Sequence, residues 1–231
     1  MGTDDVTIRA AVEATVAAGT VRYEMELESE PAHVNRSRSR GVCDFARRRE
    51  ASRTVTDVPA DVPDAFQITD GSVVYTQEPG GGWHALDMGC WSAASLLASL
   101  GWFYGAVDAT ALIAAEDGAE YTVTMSARRA VETGPEALRD ELRRAFELSG
   151  HLDAAATGWV RTDAANRITG CRLEIPPGGP GLFGAVDVGA RISLAFSRFG
   201  EPAVIRPPDA GPAPSLEETI ERFLGDGDEP W

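Results

Sequence analysis

The sequence predicts an α+β fold, one long antiparallel sheet with a pair of apolar helices inserted midway to cover one of its faces. Three observations carry this. Residues 20–28 alternate strictly, with Val21, Tyr23, Met25 and Leu27 on one side and Arg22, Glu24, Glu26 and Glu28 on the other, so one face is dry and the other wet. Short runs of the same kind recur between turn signals such as Asp70-Gly71 and Glu78-Pro79-Gly80-Gly81-Gly82, as in a meander of short strands. Midway, Trp91–Tyr104 is apolar nearly all round, relieved by Ser92, Ser95 and Ser99, and such a segment has to be buried.

Taken in order, residues 5–18 read as a helix, with Asp4 or Asp5 as N-cap, Ile8, Val12 and Val16 on one face and Gly19 as the stop. After the strand at 20–28 comes a polar, arginine-rich connection, then a second strand near Val42–Arg49 with Cys43 and Phe45 inward. Strands at Ala65–Thr69, Val73–Gln77 and Trp83–Asp87 complete the first half. The apolar helix Trp91–Tyr104 is followed by a second, short one, capped by Asp108 and running through Ile113. Glu120–Ala127 returns to strand, with Tyr121, Val123 and Met125 inward. Thr133-Gly134-Pro135-Glu136 has the form of a capping box with proline in the first turn. It opens a third helix with Leu138, Leu142, Ala145, Phe146 and Ser149 on one face and Gly150 at its end. Strands at Ala156–Thr162, Ile168–Ile175 and Arg191–Phe199 follow, with a last extended piece at Ala203–Arg206. Residues 1–208 are read as one ligand-binding domain, and 209–231 as a linker, a short acidic helix and a tail.

A chain of 231 residues is long enough for one sizeable core. Its net charge of −15 argues against nucleic acid and anionic membrane surfaces as partners. All 21 basic residues are arginine, which removes Schiff-base, P-loop and general-base chemistry that needs lysine. Cys43, Cys90 and Cys171 form no CxxC pair and are read as buried free thiols. No run approaches the ~20 apolar residues of a spanning helix. The first residues lack a signal peptide's charged and apolar regions, so the sequence as it stands reads as cytoplasmic, or as exported if a leader precedes it. His33, His84 and His151 are far apart, no G-x-S-x-G occurs, and Asp64, Asp70, Asp87 and Asp117 lack calcium-loop spacing. The expectation is a binding protein with no catalytic residues, metal or cofactor.

Inward strand positions and the inserted helices supply the candidate apolar lining: Tyr23, Met25, Phe45, Trp91, Leu97, Leu100, Trp102, Phe103, Tyr121, Val123, Met125, Leu194 and Phe196. Alternation reads the same for a cavity wall and for a filled core, so both remain open. Arg36, Arg38, Arg40, Arg47, Arg48, Arg49 and Arg53 gather a third of the arginines into eighteen residues carrying +5, against −20 for the rest of the chain. Guanidinium forks suit phosphate and carboxylate. Arg36, Arg38, Arg40, Arg47 and Arg49 are therefore the candidate headgroup site, with a solvated outer strand face matched by glutamates as the alternative. The C-terminal helix, with Leu216, Ile220, Phe223 and Leu224 on one face, offers a protein contact or packs back on its own domain.

The order of these pieces resembles the LolA-like superfamily and, within it, the mycobacterial LppX/LprG lipoproteins. A helix leads into the strand Thr20–Glu28; Asp70-Gly71-Ser72-Val73-Val74-Tyr75 precedes Trp83 and the apolar helices; Asp117-Gly118-Ala119-Glu120-Tyr121-Thr122-Val123 leads to the third helix. The end is the most specific part: Gly158-Trp159-Val160-Arg161-Thr162-Asp163 with Arg167-Ile168, then Phe199-Gly200-Glu201-Pro202-Ala203-Val204-Ile205-Arg206-Pro207-Pro208. The resemblance implies a half-barrel closed by helices, an interior that accepts acyl chains, and carriage of lipids without catalysis. Cys43 lies too deep in the chain for a lipobox cysteine, which departs from the lipoprotein pattern. Expected partners are a lipid or apolar small molecule, or, with a filled core, a protein bound through the arginine-rich strand or the tail.

Overall fold

A computed structural model describes residues 3–30, 35–58, 64–77, 80–91, 95–115, 117–178, 180–181, 184–185 and 189–219. Helix α1 (Thr3–Ala17) ends at Gly19, whose φ of +81° turns the chain into β1 (Thr20–Glu30). A meander follows: β2 (Arg36–Asp44), β3 (Arg49–Val58), β4 (Ala65–Asp70), β5 (Val73–Gln77) and β6 (Trp83–Asp87). The chain then crosses through α2 (Leu97–Leu100) and a 3₁₀ segment, Gly101–Gly105, to a second meander. That begins with β7 (Ala106–Ala115) and β8 (Gly118–Ser126), passes through α3 (Ala127–Thr133) and α4 (Arg139–Leu148), and continues with β9 (Ala155–Asp163) and β10 (Ile168–Ile175). A final strand, β11 (Gly189–Ser197), inserts between β10 and β1.

The result is one antiparallel sheet of eleven strands in the order β6-β5-β4-β3-β2-β1-β11-β10-β9-β8-β7, with β6 and β7 as its unjoined edges. The connection from β6 to β7 runs from one edge to the other in eighteen residues, 88–105. Ten inter-strand gaps of ~4.8 Å span about 48 Å, close to the most such a partly helical stretch can reach. A sheet bridged this way, with the bridge buried, has to curl. The bridge supplies the largest side chains of the core: Trp91, Leu96, Leu97, Leu100, Trp102, Phe103 and Tyr104 are all buried. Helix α1 adds Ile8, Ala11 and Val12, and Thr15 Oγ1 locks it down by accepting the Ile168 N–H at 2.8 Å.

Several elements differ from the sequence reading. The arginine-rich connection is strand β2, and Phe45–Arg48 is the hairpin turn, held by the Arg47 N–H donating to Asp44 Oδ1 at 2.9 Å. Here the inward residues are the small hydroxyls Ser37 and Ser39, which give no hydrophobic alternation. Strand β3 is polar for the same reason; Ser39 and Thr54 face each other with hydroxyls 2.7 Å apart. The helix expected at Asp108–Ile113 is instead edge strand β7, paired with β8. Two register shifts, at Ala106/Asp108 and Ala111/Ile113, break its period of two, and so short a helix is marginal unless packed.

Within the apolar stretch only Leu97–Leu100 is α-helical before the 3₁₀ segment; residues 92–94 lie outside the described set. Thr133 ends α3 rather than capping the next helix, because the Arg129 and Tyr104 carbonyls take its hydroxyl, at 2.8 and 2.7 Å. Residues 203–206 join no ladder. Of the expected terminal helix, residues 216–219 are helical and the rest lies outside the described residues. That segment packs back: the Asp87 N–H donates to Pro214 O at 2.9 Å, and Leu216 is buried with Cys90 and Leu148.

Candidate functional site

The inner face of the three central strands is built of rows. Tyr23 pairs with Phe196; Met25 with Leu194 and, beyond it, Cys171; Leu27 with Ile192 and Leu173; Ser29 with Ala190 and Ile175. In the first two rows Tyr23, Phe196, Leu194 and Cys171 are buried in the main core. Past them the cover thins. A cleft of about 390 Å³ opens over the last two rows, where Leu27, Ile192, Ala190 and Ile175 form the sheet side. Ala98, Ser99 and Trp102 come from α2 and the 3₁₀ segment, and α4 presents Leu142, Ala145, Phe146 and Ser149.

Local chemistry fixes these walls. Helix α4 is amphipathic, with Leu142, Ala145, Phe146 and Leu148 buried. It stops in a Schellman turn: Gly150 has φ +70°, its N–H donates to Glu147 O, and the His151 N–H donates to Phe146 O. The turn sets the His151 ring beside Trp102, centroids 6.3 Å apart, with Nε2 3.2 Å from Pro176 O. Trp102 meets Phe146 edge-on at 4.9 Å and 67°. Among the described residues that line the cleft there is no arginine, aspartate or glutamate.

Opposite this, a buried carboxylate holds the other side of α2 in place. Glu50 on β3 accepts from the Tyr23 hydroxyl at 2.5 Å and from the Leu96 N–H at 2.7 Å, the residue just before α2. Burial pushes its carboxyl up to about 7, against the pull of those two hydrogen bonds. Burial also raises Tyr23, with the Glu50 charge adding to it. This trio ties β1 and β3 to the entry of α2, and hence to the cleft wall.

Of the thirteen residues expected to line a cavity, Trp102 alone lines this cleft. Tyr23, Phe45, Trp91, Leu97, Leu100, Phe103, Val123, Met125, Leu194 and Phe196 are buried in the single main core, and Met25 and Tyr121 pack half-buried against it. Phe45 meets Trp91 edge-on at 6.2 Å, with Arg48 over the same indole. Leu27, Ile175 and Ile192 belong to the alternations already legible in their strands, and Leu142, Ala145 and Phe146 to the amphipathic face of α4. What no alternation encodes is how far along a strand its cover extends.

The arginines stand elsewhere. Arg36, Arg38 and Arg40 alternate with buried Ser37 and Ser39 and so project from the opposite, outer face. Arg38 pairs with Asp57 at 3.0 Å, Arg40 with Glu24 at 3.2 Å, Arg47 with Asp44 at 2.8 Å and Arg49 with Asp70 at 2.7 Å; Arg48 pairs with Glu141 and Arg53 with Asp64. None of the headgroup candidates borders the cleft. A second depression, of about 430 Å³, lies outside β7–β10 and is lined mainly by hydroxyl and charged groups, among them Thr122, Thr157 and Arg172. Among the described residues no group of three or more His, Cys, Asp or Glu side chains could hold a metal, and no helix is long and apolar enough to cross a membrane.

No protein-family model matches the chain, and no curated protein matches it. A crystal structure of a LolA superfamily protein from Nitrosomonas europaea is similar at 10% identity, covering 86% of this chain and 93% of that one, with a TM-score of 0.29. At that score the superposition adds nothing to the sheet order, which stands on its own ladders.

Proposed function

We propose that the protein binds a lipid or other long apolar molecule in the inner cleft and carries it without converting it. The observation that bears most weight is the cleft itself: a mostly apolar slot between sheet and helices, with no charged side chain among the described residues that line it, at the open end of an otherwise filled core. Such sites take apolar ligands. Each methylene buried there contributes about 0.8 kcal/mol before the cost of ordering the chain. Binding without turnover is supported by the hydrogen bonds that occupy three of the cleft's polar side chains. The Ser149 hydroxyl donates to Phe146 O, Ser29 Oγ bonds both the N–H and the carbonyl of Asn35, and His151 Nε2 is engaged with Pro176 O. The sequence resemblance to the LppX/LprG lipoproteins points the same way. A protein-interaction role through the arginine-rich strand has less to draw on, since six of the seven arginines already face carboxylates.

The test is native mass spectrometry of the purified chain, followed by organic extraction. A co-purifying apolar adduct, or uptake of added lipid, is the expected result. A bare mass that stays bare with every lipid offered would refute the proposal.

A further inference from the structure

We infer that the cleft is matched to one straight hydrocarbon chain of about ten to twelve carbons, carrying an uncharged, hydroxyl-bearing headgroup, and excludes two-chain phospholipids. This rests on the proposal that the cleft binds an apolar molecule, and it narrows that reading to a ligand class.

Volume sets the length. A methylene takes about the space of a water molecule, roughly 30 Å³, so 390 Å³ holds about a dozen and has no room for a second chain. Leu100 and Phe103, on either side of Trp102 in the chain, are fully buried at 0% exposure and line no part of the slot.

Charge sets the headgroup. Among the described residues no guanidinium lines the cleft, and Arg38 and Arg40 are held on the outer face by Asp57 and Glu24. The polar side chains that border it include Asn35 and His151, which hydrogen-bond without needing a fixed charge. A phosphate would lose water there with no cation to meet it. A hydroxyl needs none.

The experiment measures affinity of the delipidated full chain, by native mass spectrometry and calorimetry, for monoacylglycerols of eight to sixteen carbons. An alkyl phosphate of twelve carbons and a phosphatidylglycerol with two sixteen-carbon chains complete the panel. The expected profile rises about fourfold per methylene, flattens near twelve carbons, and leaves the alkyl phosphate weaker and the two-chain lipid unbound. Ala145→Phe on α4 and Ser99→Phe on α2, which fill the slot from separate walls, should each weaken the twelve-carbon ligand by roughly tenfold or more with thermal midpoints held. A rise that continues to sixteen carbons, a preferred phosphate, or tight binding of the two-chain lipid overturns this ligand class while leaving apolar binding intact. Folded variants that bind as before remove the cleft as the site. No uptake of any chain removes both readings.

Discussion

Glu50 is where one buried side chain couples folding to pH between the acid range and neutrality. Its carboxyl ordinarily titrates near 4.5 and in the fold is pushed up to about 7 by burial. Below the lower value both folded and unfolded chains hold the proton. Between the two, the folded chain keeps a proton that the unfolded chain has released, so stability falls as pH rises across that window and levels off above it. The loss amounts to about 3 kcal/mol at one pKa unit per 1.36 kcal/mol. Glu50→Gln keeps an acceptor for the Leu96 N–H and removes the ionisation. The variant should match the parent near the acid end and exceed it by a few kcal/mol near pH 8, read from urea unfolding at intervals across the window. If the variant's stability declined across the window as steeply as the parent's, Glu50 would not be its source.

At the scale of elements, legibility followed the size of the inward side chains. Strand β1 was readable because Val21, Tyr23, Met25 and Leu27 oppose charged neighbours, whereas β2 and β3 turn Ser37, Ser39 and Thr54 inward and look like loop. Strand β7 defeated both periods through its two bulges, and α3 was hidden because Ser126, accepting the Arg129 N–H at 3.4 Å, looks like the end of a strand. The β1–β2 pair depends on a residue with no side chain at all. Gly41 lies opposite Tyr23, and a Cβ there would come within 2.7 Å of the phenol ring and 2.6 Å of Ala51 O. The ring cannot swing away while its hydroxyl is bound to Glu50. Gly41→Ala should therefore cost about 1–3 kcal/mol by overpacking, measured by denaturant titration. A neutral result would mean that β1 and β2 separate more easily than their ladder suggests.

For the molecule as a whole, two meanders meet at β1 and β11, and one crossover lies beneath them as the core. The sequence made the fold class and the dry face readable. It left the depth of the cleft unreadable, because residue pattern marks which face is covered and only topology marks where the cover stops. At the edge, β6 is tied at its last residue, Asp87, to the chain's own residues 214–216. That tie turns the three thiols into a clock of how the protein comes apart. Cys43 and Cys171 are at 0% exposure inside the sheet, whereas Cys90, at 5%, lies outside it and packs against Leu216 of the C-terminal segment. A buried thiol reacts only when its cover opens. Pulsed alkylation should mark Cys90 first and the other two later and together, at the rate of global unfolding. Removing residues 209–231 should speed Cys90 alone; three equal rates would instead mean that tail and sheet open as a single unit.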